Sequence, residues 1–212
     1  MTRTDIINFL IKQKKFKSYL EIGLDNGDNF KNIKCDLKES VDPFFKEDHK
    51  NGQDLQFDED IPDEIKEMLT YRMTSDEFFE QNTKTYDIIF IDGLHLQEQV
   101  GKDIINSLKI LNKNGYIVIH DCLPENESMQ IVPRQQIGWN GDVWKAIYEL
   151  IQQGLDIKVI DTDFGVGIIK YTDNDKLLHY PKKSDITWKD FENNRNKIMN
   201  VIDEHTFLNL KF

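Results

Sequence analysis

Two short runs constrain this chain more than anything else in it: Ile88-Ile89-Phe90-Ile91 and Tyr116-Ile117-Val118-Ile119. Each is continuously apolar, the pattern of a strand buried on both faces. Such a strand needs helices above and below it, which predicts a mostly parallel α/β sheet rather than a sandwich or a bundle. Each run also stops at polar residues: Asp92-Gly93-Leu94-His95 after the first, His120-Asp121-Cys122 after the second.

The remaining pattern alternates helix and strand. Ile6, Ile7, Leu10 and Ile11 lie at helical spacing within 4–13. Ser18–Ile22 reads as a strand running into a turn at Gly23–Gly27, followed by a short helix around Asp28–Ile33. A second strand ends in Ser40-Val41-Asp42 and is stopped by Pro43. Residues 46–60 are polar and read as loop, and 62–69 as a helix with Pro62 at its first position. Tyr71–Thr74 reads as a strand, with Ser75 or Asp76 capping a helix that ends at Gln81. Helices are expected over about Leu96–Leu111 and Asp142–Gln153, separated by a long loop at 123–141 of the kind that covers a site. Asp156–Asp161 and Gly165–Tyr171, with no helix between them, predict a hairpin closing the sheet. A last helix is expected over about 187–202.

A length of 212 residues suits one domain, with 17–170 as its core and 172–212 as a C-terminal extension. The 38 acidic residues against 27 basic ones leave a net charge of −11, which argues against a nucleic-acid partner. The cluster Lys12, Lys14, Lys15 and Lys17 reads as the solvated end of a helix. No run approaches a membrane span, the opening residues are too polar for a signal peptide, and Cys35 and Cys122 make no disulfide framework. A cytoplasmic setting is the expectation.

Ligands of open α/β sheets bind at the carboxyl ends of the strands. Five successive strand ends here carry an acid: Glu21, Asp42, Asp76, Asp92 and Asp121. His95 and His120 accompany the last two. A dinucleotide site requires Gly-x-Gly-x-x-Gly so that pyrophosphate can reach the backbone. The first turn instead has Gly23-x-x-x-Gly27, with Glu21 and Asp25 where phosphate would lie. Negative charge there suits a cofactor with a cationic end and no phosphate, such as S-adenosylmethionine. Gly23 would let the chain pass close to it, Asp42 would accept ribose hydroxyls, and Ser75 and Asp76 would flank the adenine.

The segments YLEIGLDNGDNF, SVDP, MTSDEFF, YDIIFIDGLH, GYIVIHDCLP, WNGDVWKAI and DTDFGVGII together resemble a class I S-adenosylmethionine-dependent methyltransferase. More narrowly, the chain is similar to small bacterial methyltransferases distantly related to the macrocin and catechol O-methyltransferases. The resemblance covers about residues 17–170. It implies a Rossmann-like, seven-stranded, mostly parallel sheet whose last strand is antiparallel, with helices on both faces. It also implies cofactor contacts at Glu21, Gly23, Asp42, Ser75 and Asp76. Catechol-type enzymes hold a divalent cation with an Asp after the fourth strand and an Asp-Asn pair after the fifth. Asp92 and Asp121 match the acids, whereas His120 and Cys122 flank the second. Histidine suits Zn, Mn or Fe-type ions better than Mg²⁺.

Asp92 can serve a metal or the cofactor's ammonium, or cap the following helix. His95 is the candidate general base; its bland reading is a polar residue packed at a helix start. His120 would orient Asp121 or fill space under the cofactor, and His120 and Asp121 join His95 as candidate catalytic residues. Cys122 reads as a buried small residue. Arg134 could meet an anion or lie solvated on its loop. Trp139, Asn140, Asp142 and Trp144 suit a sugar site, although Trp144 equally suits helix packing. Phe44, Phe45, Phe78 and Phe79 read as core or pocket wall.

The reaction expected is methyl transfer to a hydroxyl of a small molecule or glycan, with a homo-oligomer among the assemblies such a chain can form. The competing readings are a nicotinamide-dependent oxidoreductase and a non-catalytic cofactor-binding protein.

Overall fold

A computed structural model describes residues 1–44, 60–170, 172 and 179–210. The expectations for Phe45, for most of the 46–60 loop and for Tyr171 lie outside those residues. In chain order the elements are α1 (Arg3–Lys14), β1 (Ser18–Ile22), α2 (Asp28–Asn32), β2 (Leu37–Val41), α3 (Asp63–Met68), α4 (Ser75–Gln81), β3 (Tyr86–Ile91), α5 (Gln97–Ile110) and β4 (Leu111–Ile119). A short 3-10 turn at Glu127–Gln130 follows, then α6 (Val143–Gln152), β5 (Ile157–Ile160), β6 (Val166–Lys170), α7 (Trp188–Ile198), β7 (Val201–Ile202) and α8 (Glu204–Leu208).

The strands form one sheet in the order β2-β1-β3-β4-β6-β5-β7. β2, β1, β3 and β4 run parallel, and β6 is antiparallel to both β4 and β5. The two apolar runs are central and covered on both sides. Ile89, Ile91, Ile117 and Ile119 join one apolar cluster with α5, α6, Phe78 and Phe191. Ile88, Phe90, Tyr116 and Val118 join the other, with Ile6, Ile7 and Leu10 of α1 and Phe207 of α8. Alternation along each strand divides its side chains between two helical layers.

Two elements differ from expectation. Tyr71–Thr74 reduces to an isolated parallel bridge between Tyr71 and Val41. The chain must turn at once, because Thr74 caps α4 by accepting from the backbone N–H of Glu77. The seventh strand comes instead from the tail. Asn200 takes a left-handed turn (φ 49°) that ends the helix expected to reach 202. Val201 and Ile202 then pair parallel with β5. The antiparallel strand is therefore the sixth in chain order. The extension is part of the fold, since Phe191 packs on Trp144 with ring centroids 4.5 Å apart.

Candidate active site

The ladder continues one residue beyond three strands and sets their ends side by side. Gly23 N–H donates to Val41 O at 2.9 Å, Asp92 N–H to Ile22 O at 2.8 Å and His120 N–H to Ile91 O at 3.1 Å. Gly23 has φ +90°, and a Cβ there would lie 2.2 Å from the carbonyl oxygen of Asp92. Its smallness serves the contact between the β1 and β3 ends, rather than only the approach of a ligand as expected.

At this edge Asp92, His95, His120 and Asp121 converge. Asp92 Oδ1 lies 3.2 Å from His95 Nε2 and 3.4 Å from His120 Nδ1. His95 Nδ1 lies 3.3 Å from Asp121 Oδ2 and 3.2 Å from the carbonyl oxygen of Trp139. His120 Nδ1 lies 3.3 Å from Asp121 Oδ1, and its Nε2 lies 3.5 Å from Asp163 Oδ1. Asp121 sits in the left-handed region (φ 61°), which Asp tolerates better than most residues. Asn140 Nδ2 donates to Asp121 Oδ1.

Charges explain how three carboxylates persist together. Burial alone would lower the His120 pKa, but Asp92, Asp121 and Asp163 raise it well above the ordinary value. His95 is likewise raised: burial opposes protonation, and the bond to Asp92 with the charge of Asp121 outweighs it. For Asp92, burial opposes the charged form. The His120 charge and bonds from both histidines nevertheless hold its carboxyl well below the usual carboxylate range. Both histidines are thus shifted toward the protonated form, and His95, with its side chain 22% exposed against 7% for His120, is the one more open to an acceptor.

The loop's end grips His95. The Trp139 ring stacks on the His95 ring at 5.6 Å, and Asp142 N–H donates to His95 O at 3.2 Å. Gly141 (φ +63°) permits this approach, since a Cβ there would lie 1.8 Å from that same oxygen. Asp142 Oδ1 accepts from Gln97 N–H and caps α5.

Other expected contacts fall elsewhere. Glu21 is 1% exposed and bonded to the Tyr19 hydroxyl and to Asn29 Nδ2, whose amide oxygen accepts from Thr4. Its carboxyl is committed inside the protein, joining β1 to α2 and α1. Asp42 accepts from the backbone N–H of Leu24 (2.8 Å), Asp25 (3.2 Å) and Phe44 (2.7 Å), so a ribose would share oxygens that already brace the turn. Ser75 and Asp76 bond Gln99 of α5 and do not join the cluster. Arg134 turns back onto the carbonyls of Gln136 and Ile137. Trp144, Phe78 and Cys122 are core, and burial pushes the Cys122 thiol up, which leaves it unreactive.

Arg3 and Asp163 were not legible as site residues. Arg3 Nε lies 3.7 Å from Asp92 Oδ2, and its Nη1 pairs with Asp163 at 3.2 Å. They lie 160 positions apart in the chain, and the packing of α1 beside the β5–β6 turn brings them together.

With this geometry in place, residues 20–122 match the model of a family described as a methyltransferase domain. The fold is shared with O-methyltransferase TomG from Streptomyces achromogenes, solved with SAM, at 11% identity and a TM-score of 0.52, covering 80% of each chain. It is shared with SAH-bound methyltransferase PaMTH1 from Podospora anserina at 17% identity and a TM-score of 0.53, covering 81% of this chain and 78% of that one. An O-methyltransferase from Bacillus cereus, solved with SAH, matches at 16% identity and a TM-score of 0.50 over 79% of each chain. No curated protein matches the sequence. The chain has the fold of the class I methyltransferases, and its residues 20–122 match a methyltransferase-domain model. The ends of its first four strands, from Gly23 to Asp121, lie inside the matched segment.

Glu21 provides a test of this interior. Burial raises its pKa from 4.5 to about 8, despite the bonds from Tyr19 and Asn29. The folded pKa exceeds the unfolded one, so the unfolded chain sheds its proton first. Wild type then loses stability as pH rises between those two values. Glu21→Gln removes this dependence, so its Tm minus that of wild type should climb across the window and then level. A difference flat in pH contradicts a buried neutral carboxyl.

Proposed function

We propose that this chain transfers the methyl group of S-adenosylmethionine to a hydroxyl oxygen of a small polar acceptor, with a sugar or similar metabolite as the favoured class. The observation that carries the reading is His95, an imidazole held between Asp92 and Asp121 at the sheet edge beside the Gly23 turn. Acids at that edge disfavour pyrophosphate and suit a cationic cofactor, which counts against the nicotinamide reading. The cofactors printed for the structural neighbours, SAM and SAH, support the choice.

In this reading the cofactor's ammonium meets Asp92, and Gly23 and Asp42 border its amino-acid and ribose parts. His95 in its neutral form takes the acceptor's hydroxyl proton. The oxygen attacks the methyl carbon in line, the carbon–sulfur bond breaks, and its electron pair stays on sulfur. Asp92 and Asp121 hold the imidazole and stabilise the imidazolium that forms. His120 keeps their charges balanced.

The same residues fit a divalent cation. One ligand atom from each of Asp92, His95 and Asp121 lies within 4.8 Å of the others. The neighbouring Asn140 Oδ1 is buried and has no hydrogen-bond partner among the described residues. An O, N, O donor set suits Zn, Mn or Fe-type ions. When bound, such an ion supplies Lewis-acid polarisation of an acceptor oxygen, and His95 is then a ligand rather than the base.

Calorimetry should show binding of S-adenosylhomocysteine and none of NAD. In a methyl-transfer screen, His95→Gln should lower turnover by about 10²–10⁴ while cofactor binding persists. Because Asp92 and Asp121 raise the His95 pKa, the rising limb of the wild-type pH–rate profile should sit above the ordinary imidazole value of about 6.5 and vanish in the variant. Turnover that survives chelation in metal-free protein assigns His95 as base, whereas loss restored by Zn²⁺ or Mn²⁺ assigns it as ligand. Near-normal turnover of His95→Gln contradicts both roles.

A further inference from the structure

Arg3 opens α1, and its side chain extends over the carboxyl edge of the sheet. Its backbone N–H donates to Asp163 Oδ2 at 2.8 Å. Nη1 bonds both oxygens of Asp163, at 3.3 and 3.2 Å, and lies 3.3 Å from His120 Nε2. The β5–β6 turn therefore fixes one edge of the guanidinium. The other edge is differently placed. Nε is buried and has no hydrogen-bond partner among the described residues. It faces Asp92 Oδ2 at 3.7 Å, too long for a hydrogen bond. Every side-chain hydrogen bond of Arg3 to a described residue leaves from Nη1.

An unpartnered buried donor is unusual in a native protein and calls for an explanation. Nε and Nη2 form a pair of parallel donors that matches a carboxylate. Asp92 does not use that fork, because Oδ1 is drawn away toward the two histidines. Beside the fork, Asp92 Oδ2 offers negative charge. One cation and one anion side by side match an α-amino acid, whose amine nitrogen and carboxyl carbon stand about 2.5 Å apart on one carbon, from standard bond lengths. S-adenosylmethionine carries such a head.

We propose that the Nε–Nη2 edge of Arg3 binds the carboxylate of the cofactor's amino-acid end while Asp92 Oδ2 takes its ammonium. This rests on the cofactor reading above and adds the residue that recognises the carboxylate. Asp92 then faces two ways, with Oδ2 on the cofactor and Oδ1 on the His95 side where the acceptor reacts. The alternative role for Arg3 is to neutralise Asp92 and Asp163 without touching a ligand.

Two ligands that differ only in the carboxylate separate these roles: S-adenosylhomocysteine and its decarboxylated form, S-adenosyl-3-thiopropylamine. Calorimetry on the whole chain should show wild type binding the first about ten- to a hundredfold more tightly, the range of a charge-assisted bond. Arg3→Gln should remove that preference and leave the decarboxylated ligand's affinity unchanged. Arg3→Lys, which keeps the charge and loses the fork, should restore only part of it. Equal wild-type affinities for the two ligands overturn the proposal without any variant. Equal losses on both ligands in Arg3→Gln also overturn it and assign Arg3 the neutralising role. If wild type binds neither ligand, the cofactor reading itself falls.

Discussion

The carboxylate of Asp92 is the interaction on which the site depends. It stands one residue beyond a strand buried on both faces, and its backbone N–H is tied to β1. One oxygen faces two imidazoles and the other a guanidinium. Around it, Asp92, Asp121 and Asp163 are set against Arg3, His95 and His120. Ions removed from water lose solvation that only close partners replace. The raised histidines and depressed Asp92 and Asp163 all express that balance. With His95 neutral, as the proposed base must be, the three carboxylates outnumber Arg3 and His120, so the cluster requires further positive charge, which a cationic cofactor brings.

That requirement gives the chain ends a role beyond packing. α1 covers one face of the sheet through Ile6, Ile7 and Leu10, and the same helix delivers Arg3 to the cluster. The tail completes the sheet with β7 and places Phe207 beneath α1, against Phe9 at 5.3 Å. Phe191 supports Trp144 of α6, the helix that begins just after the Trp139–Asp142 segment gripping His95. Packing far from the strand ends thus determines where the histidine sits.

The parallel core was legible in the sequence because continuous apolar runs have few alternatives, and the acids that follow them necessarily share one edge. That logic placed Asp92, His95, His120 and Asp121 together, and their side chains converge in the structure. Glu21 lies within β1 near its carboxyl end, where the Tyr19 hydroxyl and Asn29 turn its carboxyl inward, and neither contact has a signature in the primary structure. Ser75 and Asp76 were drawn to α5 by Gln99. Arg3 and Asp163 escaped notice because helix-to-hairpin packing brings them together across most of the chain. Tyr71–Thr74 shortened to a bridge because a capping threonine outweighed β propensity.

The central claim is that Asp92 divides a cofactor side from a reaction side. A crystal structure of the protein with S-adenosylhomocysteine tests it most directly. The amino-acid head should lie between the Gly23 turn and Asp92 Oδ2, with the sulfur directed toward His95 and Asp121. A head bound away from Asp92, or a sulfur facing away from His95, would contradict it.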